Sequence, residues 1–265
     1  MECAEERGKI SIFSLVTSAY FAFLKQLIEG AKVKIPDEGD QVIMAFLQAR
    51  MGSSRLPGKV LMPIHGQTIL ERAIRRLRES PAIHEIAVLT TVSPLDDVIV
   101  HEARKLGTLV HRGSEEDVLE RFQEASEIFH PGIIIRATAD NPLIEIGSLE
   151  RIVEALKSRN LDWCIEKDLP YGSATEAVTA SALEQTHLRA HEPRHREHVT
   201  LYIKEHPEEF RIGLLDPPAE LRHPGIRLTV DTSQDFEFVN SLIGKKNENA
   251  HPLPLTEYIA LALSN

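Results

Sequence analysis

The chain has 265 residues, of which 42% are hydrophobic and 26% charged, an ordinary composition for a globular protein with a core of its own. Its formal net charge of −10 argues against a nucleic-acid-binding protein and against docking on an anionic membrane, because both functions use basic surfaces. The two cysteines, Cys3 and Cys164, cannot build a disulfide framework, which favours a cytoplasmic location.

The first 40 residues are predicted to be an N-terminal extension, mostly helical, that ends in the polar segment KIPDEGDQ. Its apolar stretch at 10–23 is shorter than the roughly 18 residues of a membrane helix, and it lacks the features of a signal peptide. We interpret this stretch as an amphipathic helix that packs on the body of the protein or on a partner subunit. No membrane span is predicted in the chain.

In the body, residues 41–265, apolar strands alternate with amphipathic helices. The predicted strands are 42–48, 85–91, 109–111, 133–137, 162–166 and 226–232. The predicted helices are 68–79, 95–106, 115–129, 148–157, 193–206 and 233–243. This alternation predicts an α/β fold, a three-layer sandwich with a mostly parallel sheet, and residues 168–225, which break the rhythm, are predicted to form a small inserted subdomain.

A positively charged loop follows the first predicted strand. Within ten residues it contains three cations, a glycine and two serines: Arg50, Arg55, Lys59, Gly52, Ser53 and Ser54. Ligands of parallel sheets bind beyond the carboxyl ends of the strands, which is where this loop lies. The small residues let backbone N–H groups approach an anion, and the cations neutralise it. The loop therefore predicts a polyphosphate site.

The spacing of this loop excludes two common phosphate-binding motifs. Five residues separate Gly52 from Gly58, whereas the P-loop motif GxxxxGK[ST] needs four, and Val60 stands where that motif has a magnesium-binding hydroxyl. The loop does not match GxGxxG either. Neither an ordinary P-loop ATPase nor a dinucleotide-dependent enzyme is indicated.

Two aspartates end predicted strands at the same edge of the sheet: Asp140 follows strand 133–137, and Asp231 ends strand 226–232. Each alone is more often a turn residue or a helix cap. Together with the cationic loop they favour a metal site, because Mg²⁺ prefers one or two carboxylates plus phosphate oxygens and water. Asp235 is predicted to cap the following helix or to support the site.

Five segments, in this order, resemble the motifs of sugar nucleotidyltransferases: QARMGSSRLPGKVL (48–61), RGSEEDVLERF (112–122), RATADNPLI (136–144), REHVT (196–200) and VDTSQDFEFV (230–239). The resemblance is strongest to the cytidylyltransferases that make CMP-Kdo and CMP-sialic acid and to the spore coat polysaccharide protein F group. It implies the nucleotide-diphospho-sugar transferase fold and a homodimer. It also implies transfer of CMP from CTP to a sugar acid or sugar phosphate, with release of pyrophosphate, for surface polysaccharide or glycan biosynthesis.

The resemblance also implies roles for single residues. Asp140 and Asp231 would hold the catalytic Mg²⁺, while Arg50, Arg55 and Lys59 would stabilise charge on the triphosphate and on the departing pyrophosphate. Further contacts to the nucleotide or the acceptor are expected from Gly52, Ser53, Ser54, Thr90, Thr91, Arg112, Arg136, Thr138 and Glu176. The chain departs from the commoner TGDCP motif, since it has Ala139 in place of Gly and Asn141 in place of Cys.

Some of these residues have structural alternatives. Thr90 and Thr91 could hydrogen-bond to a pyrimidine edge or belong only to their strand. Arg112 could contact substrate or form a salt bridge with a helix.

Four histidines, His187, His191, His195 and His198, have spacings that could bind zinc on one helix. Pro193 interrupts that helix, and phosphoryl-transfer chemistry needs no zinc. We therefore interpret the four as surface and subunit-interface residues.

Two other functions stay open. A type A glycosyltransferase would use the same fold with a nucleotide-sugar donor, but it would usually show a DxD pair where this chain has TADN. A non-catalytic nucleotide-binding or assembly protein is the other class, and the extension and the histidine-rich helix favour it.

Overall fold

The structure, a computed structural model, describes residues 41–245 and 251–264. The predicted N-terminal extension, residues 1–40, lies outside the described residues. Within the described ranges, every helix is too short or too polar to cross a membrane.

Seven strands form the main sheet, in the order β5-β4-β1-β6-β8-β7-β9. Strand β8 is antiparallel to both of its neighbours, and the other adjacent pairs are parallel, which confirms the predicted mostly parallel sheet. The strands are β1 (Ile43–Gln48), β2 (Pro63–Ile64), β3 (Gln67–Thr68), β4 (Glu85–Thr91), β5 (Leu109–Gly113), β6 (Ile133–Thr138), β7 (Trp163–Glu166), β8 (Glu176–Thr179) and β9 (Ile212–Leu215), of which β2 and β3 form a separate antiparallel ribbon.

Helices cover both faces of the sheet, which confirms the three-layer α/β sandwich. Helices α1, α2 and α4 pack on one face, and α3, α5 and α7 pack on the other. The helices are α1 (Ile69–Glu79), α2 (Asp97–Lys105), α3 (Val118–Phe129), α4 (Ile146–Ser158), α5 (Ala180–Arg189), α6 (Pro193–Glu197), α7 (Leu201–Glu205), α8 (Ser233–Gly244) and α9 (Leu255–Leu263).

Strand β1 shows why the sequence gives this architecture. Ile43, Ala45 and Leu47 face the core on one side of the sheet, while Met44 and Phe46 face the core on the other, and all five are buried. Since successive side chains of a strand point to opposite faces, a strand that is covered on both sides must be apolar throughout.

The segment 168–225, predicted to be an inserted subdomain, is built into the main sheet and core. It supplies β8 and β9 to the sheet, and its helices α5 and α7 share a core with α3. The predicted single helix 193–206 is wrong, because the chain forms α6 and α7 with a break between them. At the break, Val199 is buried in the core and the Thr200 hydroxyl donates to Glu176 at 2.5 Å, so both side chains are held by tertiary contacts.

The predicted strand 226–232 is also wrong. Instead of joining the sheet, this segment makes an isolated bridge between Tyr171 and Arg227. The apolar side chains that suggested a strand, Leu228 and Val230, pack into a third core cluster with α8 and α9. The alternating pattern therefore indicates that one side of this segment is buried. An extended segment outside a sheet can have the same pattern.

A close backbone approach positions this segment. Gly172 has φ +93°, and a Cβ there would lie 2.5 Å from the backbone nitrogen of Thr229, so only glycine fits. One residue on, the Val230 N–H donates to the Asp140 carbonyl at 2.9 Å. Asp231 is thus brought beside Asp140 without a strand. Asp235 then completes a capping box with Thr232 at the start of α8, as predicted.

Candidate active site

The loop after β1 closes on the carbonyl of Met51, which accepts the N–H groups of Ser53 at 2.8 Å and Gly58 at 3.1 Å. Gly58 has φ +70° and directs the chain into a short 3₁₀ turn that begins at Lys59. The turn places Lys59 below the loop, where its side chain is only 10% exposed.

Lys59 joins the two predicted metal acids. Its Nζ lies 2.7 Å from Oδ2 of Asp140 and 2.8 Å from Oδ1 of Asp231. Since one nitrogen atom contacts both carboxylates, Oδ2 of Asp140 and Oδ1 of Asp231 can be no further apart than the sum of these two distances. The structure therefore brings together Lys59, Asp140 and Asp231, although Lys59 and Asp231 are 172 positions apart in the sequence.

Asp231 is surrounded by further cations. Arg55 lies 3.1 Å from Oδ1, and Arg227 lies 2.6 Å from Oδ2. Burial opposes ionisation of the Asp231 carboxyl, but Lys59, Arg55 and Arg227 outweigh it and hold its pKa below the ordinary value. The carboxylate is therefore negatively charged at neutral pH.

The donor set fits a magnesium ion. One carboxylate oxygen of Asp140 and one of Asp231 lie within 2.8 Å of the Lys59 ammonium, so the pair already holds one positive charge. No group of three or more possible metal ligands occurs among residues 41–245 and 251–264. Two carboxylates alone suit Mg²⁺, which completes its octahedron with phosphate oxygens and water.

The other loop residues lie at the surface. Arg50 is exposed and has no ion pair with any residue in the described part of the chain, and the Arg55 side chain is 62% exposed. Gly52 and Ser54 are exposed, and the Ser53 hydroxyl accepts the Leu56 N–H at 3.4 Å. The loop thus presents cations and backbone to solvent, and its Arg55 reaches Asp231.

Thr90 and Thr91 do not reach this surface. Both are fully buried, and both hydroxyls donate to Oδ2 of Asp96, at 2.9 Å and 2.5 Å. Oδ1 of Asp96 accepts the Met51 N–H at 2.8 Å. The geometry therefore supports the structural alternative for the threonine pair, that it belongs only to its strand. The structure adds that the pair holds Asp96, which anchors the cationic loop.

Arg112 likewise has a structural set of partners. Its guanidinium donates to the carbonyls of Thr91 and Ser93, each at 2.8 Å, and to the carboxylate of Asp97 in α2 at 2.7 Å. Of the two alternatives for Arg112, the salt bridge with a helix is the one the structure contains.

Glu176 forms the centre of a second charged cluster. It is buried at the start of β8, where Lys204 donates to Oε1 at 2.6 Å and Thr200 donates to Oε2. Arg136, its neighbour across the sheet, lies 3.6 Å away. Burial alone would raise the pKa of Glu176, but Arg136 and Lys204 outweigh it and lower that pKa to about 2.

Thr138 and Asn141 are tied to each other. The Asn141 amide donates to the Thr138 hydroxyl at 2.8 Å, on either side of Asp140. Asn141, one of the two residues that depart from the commoner motif, therefore closes the turn that carries Asp140.

The histidines build no metal site among the described residues. His195 is buried, in contrast to the surface position we predicted, and its Nε2 lies 2.8 Å from Glu205. His191 and His198 are exposed.

The comparisons with known proteins decide the family. The profile of the cytidylyltransferase family matches residues 44–258, most of the chain. The chain belongs to the cytidylyltransferase family. It is accordingly an enzyme, a CTP-dependent nucleotidyltransferase, and the resemblance drawn from the five motifs is confirmed.

Individual cytidylyltransferase relatives are similar over most of their lengths. An uncharacterized protein of Methanocaldococcus jannaschii is 43% identical over 195 residues, which are 74% of this chain and 80% of that protein. The spore coat polysaccharide biosynthesis protein SpsF of Bacillus subtilis is 37% identical over 211 residues, 78% of this chain and 88% of that protein. A solved cytidylyltransferase structure from Leptospira borgpetersenii superimposes with a TM-score of 0.80 at 30% identity, covering 85% of this chain and 95% of that one.

Three residues of the candidate site escaped prediction from the sequence: Asp96, Arg227 and Lys204. Asp96 is the anchor of the loop, Arg227 holds Asp231 and Asp235, and Lys204 pairs with Glu176. One feature of the sequence could have indicated Asp96: it is an acid in the loop after β4, which lies at the same edge of the sheet as the cationic loop. Arg227 and Lys204 could not be predicted, because their contacts depend on how distant helices and loops pack.

Replacing Asp96 by alanine is expected to destabilise the protein by about 2–4 kcal/mol, because it leaves buried N–H and hydroxyl donors without an acceptor. Urea unfolding measures the change. Asp97→Ala is the matched control, since Asp97 is exposed and its loss is expected to cost under about 1 kcal/mol. If the two substitutions lower the free energy of unfolding equally, Asp96 does not anchor the loop.

The lowered pKa of Glu176 predicts a pH-dependent contribution to stability. Since the folded pKa is about 2 and the ordinary value is 4.5, the contribution is full above pH 4.5 and is lost as the pH falls toward 2. Wild-type protein should therefore exceed Glu176→Gln in free energy of unfolding at pH 7, and this difference should shrink at pH 4 and pH 3. Glu154→Gln, at an exposed position of α4, should show no such trend. A difference that stays constant with pH would count against the charged state assigned to Glu176.

Proposed function

We propose that this enzyme transfers CMP from CTP to a sugar acid or sugar phosphate and releases pyrophosphate. The observation that carries the proposal is the Lys59 ammonium held between Asp140 and Asp231, in a loop that also carries the exposed Arg50 and Arg55. This arrangement offers a cation site and a polyphosphate site in contact with each other. Of the three functions left open by the sequence, membership of the cytidylyltransferase family supports this one.

The triphosphate would lie along the loop. Arg50 and Arg55 would bind its outer phosphates, and backbone N–H groups near Gly52 and Ser54 would contact the oxygens. Lys59 would exchange its carboxylate partners for phosphate oxygens when the nucleotide binds. Asp140 and Asp231 would hold Mg²⁺, which when bound supplies Lewis-acid stabilisation of the charge on the α-phosphate.

At phosphorus the reaction forms one P–O bond and breaks one, and the proton of an acceptor hydroxyl is released to solvent. An oxygen of the acceptor attacks the α-phosphorus of CTP in line, and the bond from this phosphorus to the bridging oxygen of the β-phosphate breaks. The electron pair leaves with pyrophosphate, whose charge Arg50, Arg55 and Lys59 stabilise. Catalysis is then mainly positioning and electrostatics, so no nucleophilic side chain is required.

The relatives support a biological setting for the reaction. A relative that is 37% identical carries a name from spore coat polysaccharide biosynthesis, which supports an acceptor destined for a surface polysaccharide or glycan. The proposal includes a cytoplasmic homodimer. Size-exclusion chromatography with light scattering tests for the dimer, since a mass near twice 29.7 kDa is expected.

A pyrophosphate-release assay tests the function. The four nucleoside triphosphates are each combined with Mg²⁺ and a panel of sugar acids and sugar phosphates. Release that requires CTP and an acceptor is expected. Release of a sugar from a nucleotide sugar would indicate the glycosyltransferase, and nucleotide binding without any release would indicate a non-catalytic protein.

A further inference from the structure

The two oxygens of the Asp231 carboxylate have different surroundings. Oδ1 lies 2.8 Å from Lys59 Nζ, the cation that Asp231 shares with Asp140, and 3.1 Å from Arg55. Oδ2 accepts a hydrogen bond from a terminal nitrogen of Arg227 at 2.6 Å. One oxygen is therefore directed toward the site, while the other is already engaged by a charged donor.

Arg227 is itself held in place by Asp235. Its Nε donates to Oδ1 of Asp235 at 2.8 Å, and the terminal nitrogen that reaches Asp231 lies 3.4 Å from Oδ2 of Asp235. Oδ2 of Asp235 also accepts the backbone N–H groups of Asp231 and Thr232, at 3.0 Å and 2.9 Å. A carboxylate that is fixed to the start of α8 therefore fixes the guanidinium, because charge-assisted pairs of an arginine have a defined geometry.

An aromatic ring covers the guanidinium. The central carbon of the Arg227 guanidinium lies 4.9 Å from the centre of the Tyr171 ring, which is a cation–π distance. The Tyr171 N–H donates to the carbonyl of Ile226 at 2.8 Å, and the Leu228 N–H donates to the carbonyl of Tyr171 at 2.7 Å. The arginine is therefore held at its edge and at its face, although 42% of its side chain is exposed.

Asp231 needs such a contact to keep its orientation. The terminal torsion of an aspartate side chain has broad, nearly two-fold preferences, so the residue alone does not specify how its oxygens face a ligand. Asp231 also lies in an extended segment outside the seven-stranded sheet. With Oδ2 bonded to Arg227, Oδ1 is the oxygen that Asp231 offers to a cation shared with Asp140.

We propose that Arg227 is a positioning residue that limits Asp231 to one oxygen ligand and so makes the metal site select Mg²⁺ over Ca²⁺. This inference rests on the proposed function, since it concerns the metal of that reaction. Mg²⁺ requires an octahedral set of ligands and keeps several waters, so a single oxygen from an aspartate suits it. Ca²⁺ takes about six to eight oxygens and often binds both oxygens of one carboxylate, which the bond from Arg227 opposes at Asp231.

Replacing Arg227 by glutamine isolates the contact with Asp231. The amide nitrogen of glutamine is as many bonds from the backbone as the Nε of arginine, so it keeps a donor for Asp235. The terminal nitrogen that reaches Asp231 is removed. Arg227→Met, which lacks both donors, is the second variant. Arg222→Gln is the matched control, because Arg222 is also an exposed arginine that pairs with an aspartate, Asp216.

The test is a competition between Mn²⁺ and Ca²⁺ for the full chain in the presence of α,β-methylene-CTP. Mn²⁺ prefers octahedral oxygen ligands, as Mg²⁺ does, and electron paramagnetic resonance measures the Mn²⁺ that Ca²⁺ displaces. Both ions are divalent, so the loss of the Arg227 charge changes their affinities by a similar factor. This factor cancels in the ratio of the two affinities, which therefore measures how well the site provides the additional oxygen that Ca²⁺ uses.

Wild type and Arg222→Gln should prefer Mn²⁺ over Ca²⁺ by the same ratio. Arg227→Gln and Arg227→Met should each lower this ratio about tenfold, at the lower end of the effects that the hydrogen-bond partners of metal ligands have on affinity. Thermal melts establish that a variant is folded, and the ratio is taken from folded protein. A loss of stability alone would weaken the binding of both ions and leave their ratio unchanged.

The inference is overturned if the Arg227 variants keep the wild-type ratio, or if wild type binds Ca²⁺ as tightly as Mn²⁺. Pyrophosphate release by wild type with CTP, Mg²⁺ and the acceptor panel is measured separately and tests the reaction. Release combined with an unchanged ratio would uphold the reaction and refute the role of Arg227. A tenfold lower ratio in the variants without any release by wild type would uphold that role and count against the reaction.

Discussion

Replacing Asp140 or Asp231 by asparagine should lower kcat for CTP-dependent pyrophosphate release by about 10³-fold, because a metal contributes several kcal/mol to the transition state and each 1.4 kcal/mol is tenfold. Asparagine keeps the size and one oxygen of the side chain but loses the charge that binds the cation. The measurement is steady-state kinetics at saturating CTP and Mg²⁺.

The fold should survive these two substitutions. The backbone carbonyl of Asp140 still accepts the Val230 N–H, and residue 231 keeps its place in the extended segment. Asp216→Asn is the matched control, since Asp216 lies at the surface with Lys167 and Arg222 and should leave kcat unchanged. If either asparagine variant keeps kcat within about tenfold of wild type, the metal role of that residue fails.

Replacing Lys59 by methionine should have two opposite effects. Pyrophosphate release should fall by about 10²- to 10³-fold, because a charge beside the triphosphate is lost. Binding of Mn²⁺ to the nucleotide-free protein should become tighter, because the Lys59 ammonium occupies the space between Asp140 and Asp231. Electron paramagnetic resonance of free Mn²⁺ measures the second effect directly.

The two effects together distinguish this account from simple damage to the fold. A disrupted site would lose activity and bind the metal less well, whereas removal of a competing cation improves metal binding. Lys167→Met, at an exposed salt bridge, is the control for the loss of a lysine. Metal binding to Lys59→Met no tighter than to wild type would mean that Lys59 does not stand in the metal position.

Much of the fold could be predicted because apolar strands are local features. Strand 85–91 was predicted with its observed bounds, and the strand at 42–48 begins one residue later than predicted. The two errors, 226–232 and 193–206, have a common cause. In both, periodic apolar residues report burial, while the backbone conformation is decided by distant contacts, to Asp140 for the first and to Glu176 for the second.

The candidate site also contains residues that local sequence could predict and residues that depend on distant contacts. The loop cations and Asp140 could be found because each follows a strand at the edge where ligands of parallel sheets bind. Asp231 was placed there by a predicted strand that the structure lacks, and it reaches the same place because the Val230 N–H donates to the Asp140 carbonyl. The base contacts proposed for Thr90 and Thr91 illustrate the limit. Whether a hydroxyl faces a ligand or an internal acid depends on Asp96, whose position the sequence around the threonines does not specify.

Binding of Mn²⁺ in the presence of α,β-methylene-CTP shows whether a metal and a triphosphate share this site, because this analogue cannot release pyrophosphate. Electron paramagnetic resonance should show one tightly bound Mn²⁺ per wild-type chain when the analogue is present. Asp140→Asn and Asp231→Asn should each weaken that binding more than about tenfold, while Asp216→Asn should bind normally. Unchanged binding in both asparagine variants would contradict the assignment of a metal-bound triphosphate to the space between these two acids and the cationic loop.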